Sequence, residues 1–301
     1  MVLEAFSVPR NTVFWLNPLR APARKSLQVL RALGLDPRPL PWHSGAFEVE
    51  AGERERLVGS APARQGAVYP LDASSLLPVP VLDPRPGERV LDLAAAPGGK
   101  TIQIAAAMEN TGSLSAVEAV RPRFHRLRAN LARCGVTHAR LYLKDGRRVG
   151  RAVPERFDRV LLDAPCSTEG GFRTADPRTW RQWSLRKVQE CARKQRGLLL
   201  SAFQALRSGG VLVYCTCTFA PEENEAVVDA LLARARGQAE LEPLALPAGV
   251  PVQSGLTRWE KHRFAASLVH AVRILPDHRF GGFFLCRIRK CGGSGAGSGP
   301  S

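Results

Sequence analysis

The 301-residue sequence has no apolar run near the roughly 20 residues a bilayer-spanning helix needs, which excludes that kind of membrane protein. From Met1 onward Glu4, Pro9, Arg10 and Asn11 interrupt the chain before any signal-peptide core can form, so it reads as soluble and intracellular, with the cytoplasm its expected compartment. There is no Cys-x-x-Cys pair and no His-x-x-x-His helix face, and no metal is expected. Seven cysteines, an odd number spread along a long chain, make no disulfide framework; reduced thiols are expected. Acids are scarce beside bases, 27 Asp and Glu against 43 Lys and Arg, and the net charge of +16 makes a polyanion the expected partner, nucleic acid first. Acidic proteins and anionic membranes stay open. With 45% hydrophobic and 23% charged residues the chain can bury a core as one large domain, or one with a small partner, and is not disordered as a whole.

Residues 1–65 carry a strand-like run, Val13-Phe14-Trp15-Leu16, then a helical pattern with Leu27, Leu30 and Leu33 on one face, ended by Gly34 and Pro37: a small α+β domain. From Arg89 apolar strands alternate with amphipathic helices, the signature of a mostly parallel sheet with helices on both faces, placed in a domain at 66–291. Five strands are expected, around Val90–Leu93, Leu114–Glu118, Leu141–Leu143, Val160–Asp163 and Val211–Tyr214. Val272–Leu275 and Phe283–Ile288 add an antiparallel hairpin at the edge, for seven in all. Gly237–Leu256 reads as a loop and 292–301 as a disordered Gly/Ser tail.

After the first of these strands comes Ala94-Ala95-Ala96-Pro97-Gly98-Gly99-Lys100-Thr101, small residues at a strand-to-helix turn where a ligand can approach the backbone. A side chain at Gly98 or Gly99 is expected to intrude on that ligand. A phosphate-binding P-loop would need glycine where Ala94 stands, and the dinucleotide fingerprint is missing as well. Glu118, 26 residues beyond Asp92, is placed to take ribose hydroxyls, and Asp145 to reach a base. Carboxylates around an adenosine without phosphates suit S-adenosylmethionine, whose sulfonium is cationic, better than NAD or ATP. The competing reading is a plain helix-capping turn.

The fourth strand ends in Asp163-Ala164-Pro165-Cys166-Ser167 and the fifth runs into Cys215-Thr216-Cys217-Thr218. Ligands bind at the carboxyl ends of parallel strands, so Cys166 and Cys217 should flank one crevice. Cys134, Cys191, Cys286 and Cys291 read as inert small residues, and Cys215 is expected to point away from the side served by Cys217.

These segments, with Gly170-Gly171-Phe172-Arg173, Pro221-Glu222-Glu223-Asn224-Glu225 and Gly281-Gly282-Phe283-Phe284, resemble the Sun-type (Nop/Sun) family of S-adenosylmethionine-dependent RNA cytosine-5 methyltransferases from about Gly66 to Lys290. The chain departs from the family pattern at Leu71, ahead of Asp72, where a glutamine is common, and the RNA-binding domain some members carry after the core is not expected here. The resemblance implies a class I, Rossmann-like fold, a cofactor site from Ala94, Ala95, Ala96, Pro97, Gly98, Gly99, Lys100, Glu118, Asp145 and Asp163, and rRNA or tRNA as substrate. It assigns Cys217 as nucleophile at cytosine carbon 6, Cys166 to product release and Asp163 to the ring N3 edge. DNA cytosine methyltransferases use the Pro-Cys thiol as nucleophile, which keeps the swapped assignment open, and Lys100 is open between cofactor and substrate.

Between Arg121 and Arg159 twelve bases face three acids, either a phosphate track or a solvated face. Arg123 and Arg126 are candidates there. Arg173, Arg178, Trp180 and Arg181 form the preferred RNA contact, because aromatic and guanidinium planes stack on unpaired bases. A monomer is expected. The competing class is an RNA-binding or assembly protein that kept the fold without turnover.

Overall fold

Alternation of inward-facing aliphatic residues builds two main sheets. A computed structural model describes residues 4–292; the tail expected from 292 onward lies, from 293, outside the described residues. The N-terminal unit consists of β1 (Thr12–Leu16), α1 (Ala23–Ala32), β2 (Arg38–Pro39), β3 (Ala46–Val49), α2 (Arg54–Gly59), α3 (Ala61–Arg64) and β4 (Val68–Pro70). Its antiparallel sheet runs β2-β3-β1-β4, so the fourth strand lies past residue 65. Phe14, Leu30, Val49, Leu57 and Val68 form its own small core. Leu33, expected on the buried face of α1, caps its end and is 48% exposed, because the helix stops one residue short of it.

The main sheet follows: α4 (Pro78–Leu82), β5 (Arg89–Asp92), α5 (Gly99–Ala107), β6 (Ser113–Glu118), α6 (Arg121–Arg133), β7 (Ala139–Leu143), α7 (Val149–Ala152), β8 (Phe157–Asp163), α8 (Leu185–Ala205), β9 (Leu206–Thr216) and α9 (Glu225–Ala235). It continues with β10 (Ala239–Glu242), β11 (Val252–Ser254), a separate small hairpin of β12 (Arg258–Trp259) and β13 (His262–Arg263), then β14 (Val272–Ile274) and β15 (Phe283–Lys290). The order is β11-β14-β15-β9-β8-β5-β6-β7, parallel from β9 to β7, with β10 also paired to β15. The sheet therefore has nine strands, not seven. The two unforeseen ones, β10 and β11, come from the stretch expected to be a loop. They are short antiparallel additions whose partners are distant in sequence, so no local period announces them.

Alternate residues feed opposite layers. Val90, Leu161, Val213 and Cys215 face α5, α6, part of the N-terminal unit, including Tyr69, and Leu76 in the turn that follows it. Leu91, Val160, Leu162, Leu212 and Tyr214 face α8 and α9, where Leu199, Ala202, Val228 and Leu231 meet them. The 21-residue α8 begins at Ser184, whose hydroxyl accepts the Lys187 N–H, and it buries Val188, Ala192, Gln195, Leu199 and Ala202 at helical spacing. One consequence reaches the site. Parallel pairing of β8 with β9 sets Asp163 beside Cys215 at the carboxyl ends of both strands.

Candidate active site

The turn after β5 is held at two of its carbonyls. Asn130 donates to the Pro97 carbonyl at 2.8 Å and Arg123 to that of Ala96 at 2.7 Å, both from α6. Gly98 is the N-cap of α5 with φ +112°, a conformation open to glycine, and a Cβ there would lie 3.1 Å from Leu127 Cδ1; one on Gly99 would lie 3.1 Å from the Tyr69 ring. Protein packing therefore disfavours a side chain at both positions, and at Gly98 the backbone conformation does too. Beneath the turn, buried Asp92 accepts the Thr101 hydroxyl at 2.6 Å. Burial pushes its carboxyl up to about 7, against the pull of that hydrogen bond.

Glu118 ends β6 almost fully buried; it caps the Val120 N–H at 2.8 Å and lies 3.7 Å from Arg123 Nε. Asp145 is engaged by Arg147 through two side-chain nitrogens, the closer at 2.7 Å, and that pairing holds its carboxyl below the ordinary range. These strand-end carboxylates, with the backbone at Ala94–Gly99, make a donor set that fits S-adenosylmethionine: anionic groups for hydroxyls and a sulfonium, and no P-loop for a triphosphate.

Lys100, one residue into α5, crosses to the end of β8, where its Nζ meets Asp163 Oδ2 at 2.6 Å and stands 5.6 Å over the Phe283 ring. Desolvation works against the ammonium, but Asp163 and the thiols of Cys215 and Cys217 outweigh it, and the net shift is upward. The other Asp163 oxygen faces the Cys215 thiol at 3.6 Å. Cys215 thus corrects the expectation that it points away. Residues two apart on an extended strand share a face, and Cys215 and Cys217 lie in the same layer.

Cys166 and Cys217 meet, Sγ to Sγ, at 3.1 Å. The hydrogen bond with Cys217 and burial push the Cys166 thiol well above the ordinary range, and charge on Cys217 would push it the same way. Two loops fix the sulfurs. Fully buried Glu223 accepts the Ser167 N–H at 3.1 Å and the Gln195 amide at 2.8 Å, while Gln195 also donates to the Pro165 carbonyl at 2.9 Å. Glu169 accepts the Phe219 N–H and the Thr218 hydroxyl, both at 2.9 Å, and the Trp183 indole at 2.8 Å. Gly170 donates to the Cys217 carbonyl at 3.0 Å, and a Cβ on it would fall 1.9 Å from the Gly282 carbonyl oxygen. Three glycine- and acid-rich motifs far apart in sequence thus close around one pair of thiols. Asp92, Glu169, Gln195 and Glu223 were given no role from the sequence; only the Pro221-Glu222-Glu223-Asn224-Glu225 run signalled any of them.

Cys134 and Cys286 are buried, as inert cysteines would be, and burial raises both thiols. The basic candidates separate. Arg126 and Arg181 are exposed, Trp180 is 45% exposed, and Arg178 pairs with Asp176 in solvent. Arg123 serves the turn after β5, and half-buried Arg173 lies in a cleft with Arg10. Among the described residues no cluster of three or more His, Cys, Asp or Glu could hold a metal ion, and no helix is long and apolar enough to cross a membrane.

A mostly parallel sheet with a glycine-rich turn after its first strand and carboxylates at the next strand ends defines a class I, S-adenosylmethionine-dependent methyltransferase. Within that class the chain belongs to the 16S rRNA methyltransferase RsmB/F family, whose model matches residues 79–289. It is 39% identical over 295 residues to the tRNA (cytosine(49)-C(5))-methyltransferase of Pyrococcus abyssi, covering 92% of this chain and 91% of that protein. To the ribosomal RNA small subunit methyltransferase F of Serratia proteamaculans it is 41% identical over 292 residues, 96% of this chain but 59% of that longer protein. A methyltransferase homolog from Pyrococcus horikoshii superposes with a TM-score of 0.80 at 33% identity, over 96% of this chain and 89% of the other.

Proposed function

We propose that the chain transfers a methyl group to carbon 5 of a cytosine in RNA, with Cys217 as nucleophile, Cys166 as the group that releases the product and Asp163 at the N3 edge of the base. The observation that carries this reading is the 3.1 Å contact between thiols from two strand ends, beside the Lys100–Asp163 pair. S-adenosylmethionine, held by Ala94–Lys100, Glu118 and Asp145, supplies an electrophilic methyl group when bound. Carbon 5 of cytosine is a poor nucleophile until a thiolate adds at carbon 6 and turns the ring into an enamine. The Cys217 sulfur forms that bond, and Asp163, its carboxyl protonated or sharing a proton with N3 and backed by Lys100 Nζ at 2.6 Å, delivers that proton to N3 and so neutralises the electron-rich ring.

The burial and contacts of Cys166 fit the second half of the reaction. Two of the four causes that raise its thiol, the hydrogen bond with Cys217 and repulsion by a Cys217 anion, vanish once Cys217 is a neutral thioether, leaving burial and the charge of Glu223. Cys166 then loses its proton to solvent more readily and is free to take the proton from carbon 5. The carbon 6–sulfur bond breaks, the electron pair returns to Cys217, and the aromatic ring is restored. Arg126, Arg178, Trp180 and Arg181 are solvent-facing contacts for the RNA. tRNA is the first substrate class to test, because the tRNA-modifying relative aligns over nearly all of both chains; small-subunit rRNA is the second.

The test is methyl transfer to RNA containing 5-fluorocytosine, whose carbon 5 carries no removable proton. A trapped protein–RNA adduct in the wild type is expected. Methylation of ordinary RNA with no trapping by the fluorinated RNA would place the methyl elsewhere, and RNA binding without transfer would make the chain a binding protein.

A further inference from the structure

Where the N-terminal unit meets the loop after Cys166, a cleft of about 400 Å³ is lined by Arg10, Arg54, Arg173 and Arg279, with Asp72 the one carboxylate among its described lining residues. Arg279 is occupied: Glu48 accepts from its Nε and Nη2, each at 2.9 Å. Asp72 is also in use, accepting the Ser74 N–H at 2.9 Å and the Gly281 N–H at 3.3 Å, and it reaches Arg10 Nη1 only at 3.5 Å. The remaining guanidinium groups are under-served. The Arg10 side chain is 4% exposed, yet its Nε is buried with no hydrogen-bond partner, and so is Nη1 of Arg173. A guanidinium cannot discharge by losing a proton, and leaving its N–H groups dry and unpaired is costly. Such a pair calls for an anion with several acceptor oxygens.

The cleft is tied to the reacting sulfurs. Arg10 Nη2 donates to the Gly170 carbonyl at 3.1 Å, and the Gly170 N–H donates to the carbonyl of Cys217 at 3.0 Å. A ligand between Arg10 and Arg173 is thus held by the loop that fixes the nucleophile.

We propose that this cleft binds a phosphate of the RNA backbone and positions the strand whose cytosine reaches Cys217. It rests on the RNA-methylating reading above. Arg10 and Arg173 supply the buried charge, and exposed Arg54 draws the phosphate in. Such a contact fixes register without reading sequence.

Wild type, Arg173→Gln and Arg54→Gln are compared in binding to an unmodified tRNA transcript from low to physiological salt, with inorganic phosphate as competitor. S-adenosylmethionine affinity, measured by calorimetry, reports folding. Each variant is expected to bind RNA about 10-fold more weakly, with a salt slope shallower by about 0.7 for the lost phosphate and cofactor affinity unchanged. Should Arg173→Gln fail to fold, Arg54→Gln decides, since its side chain lies in solvent. Wild-type affinity and slope in the folded variants would overturn the proposal. So would inorganic phosphate that binds through Arg173 while the RNA slope stays unchanged, which would make this a free-phosphate site. A wild type that binds RNA but never methylates it would refute the catalytic reading, while the slopes would still score the cleft.

Discussion

Cys166 Sγ lies 3.1 Å from Cys217 Sγ although 51 residues separate them in the chain. The contact depends on β8 and β9 running parallel in a register that pairs Asp163 with Cys215, so that the two loops leave the sheet side by side. Each sulfur is within about 1 Å of disulfide bonding distance from the other.

Mild oxidation should therefore silence the protein reversibly. Diamide takes two electrons and two protons from the pair, is reduced to the hydrazine, and leaves one Cys166–Cys217 bond. Loss of two of the seven titratable thiols should track loss of methyl transfer, and dithiothreitol should restore both. Inactivation of wild type with all seven thiols still titratable would contradict the contact.

Asp92 makes stability depend on pH in a direction opposite to that of a salt-bridged carboxylate. Its folded pKa of about 7 is above the ordinary 3.8, so the folded state holds the proton more tightly. The stability this gives is complete below about pH 4 and is lost as pH rises to about 7. Chemical denaturation should show the advantage of wild type over Asp92→Asn shrinking across that window, by an amount of the order of 4 kcal/mol. Above pH 7 the difference should be flat. A constant difference from pH 4 to pH 8 would mean that Asp92 does not titrate with folding.

Gly98→Val should unfold more easily as well as lose cofactor. The left-handed φ and the 3.1 Å approach to Leu127 both oppose a side chain, with a strain of about 1–3 kcal/mol, so the melting temperature should fall by several degrees. A wild-type melting temperature with cofactor binding abolished would mean that the glycine serves to clear space for the ligand and not to relieve packing.

Much of the site was legible in the sequence because each piece sits where apolar strand gives way to polar loop. Asp163, Cys166 and Cys217 are readable at the ends of their strands, and Ala94–Lys100 at the first turn. What was not legible depends on distant partners. Lys100 reads only as part of the turn, and its pairing with Asp163 comes from α5 carrying it across to the end of β8. Glu223 and Gln195 hold the Cys166 loop from two different segments, and the strands at Ala239–Glu242 and Val252–Ser254 exist only because β15 and β14 offer them edges. Arg173 is legible as an RNA-contact candidate beside Trp180, but its place opposite Arg10 in a cleft is set by the fold. The misreading of Cys215 was one of parity, since positions 215 and 217 share a strand face whatever the fold.

The division of labour between the two thiols carries the account, and their variants test it most directly. Incubated with RNA and S-adenosylmethionine, Cys166→Ala should accumulate a covalent protein–RNA adduct that survives denaturing electrophoresis, because the bond from Cys217 to carbon 6 forms but breaks slowly. Cys217→Ala and the double variant should give none. An adduct in Cys217→Ala with none in Cys166→Ala would contradict the assignment and make the Pro165-Cys166 thiol the nucleophile.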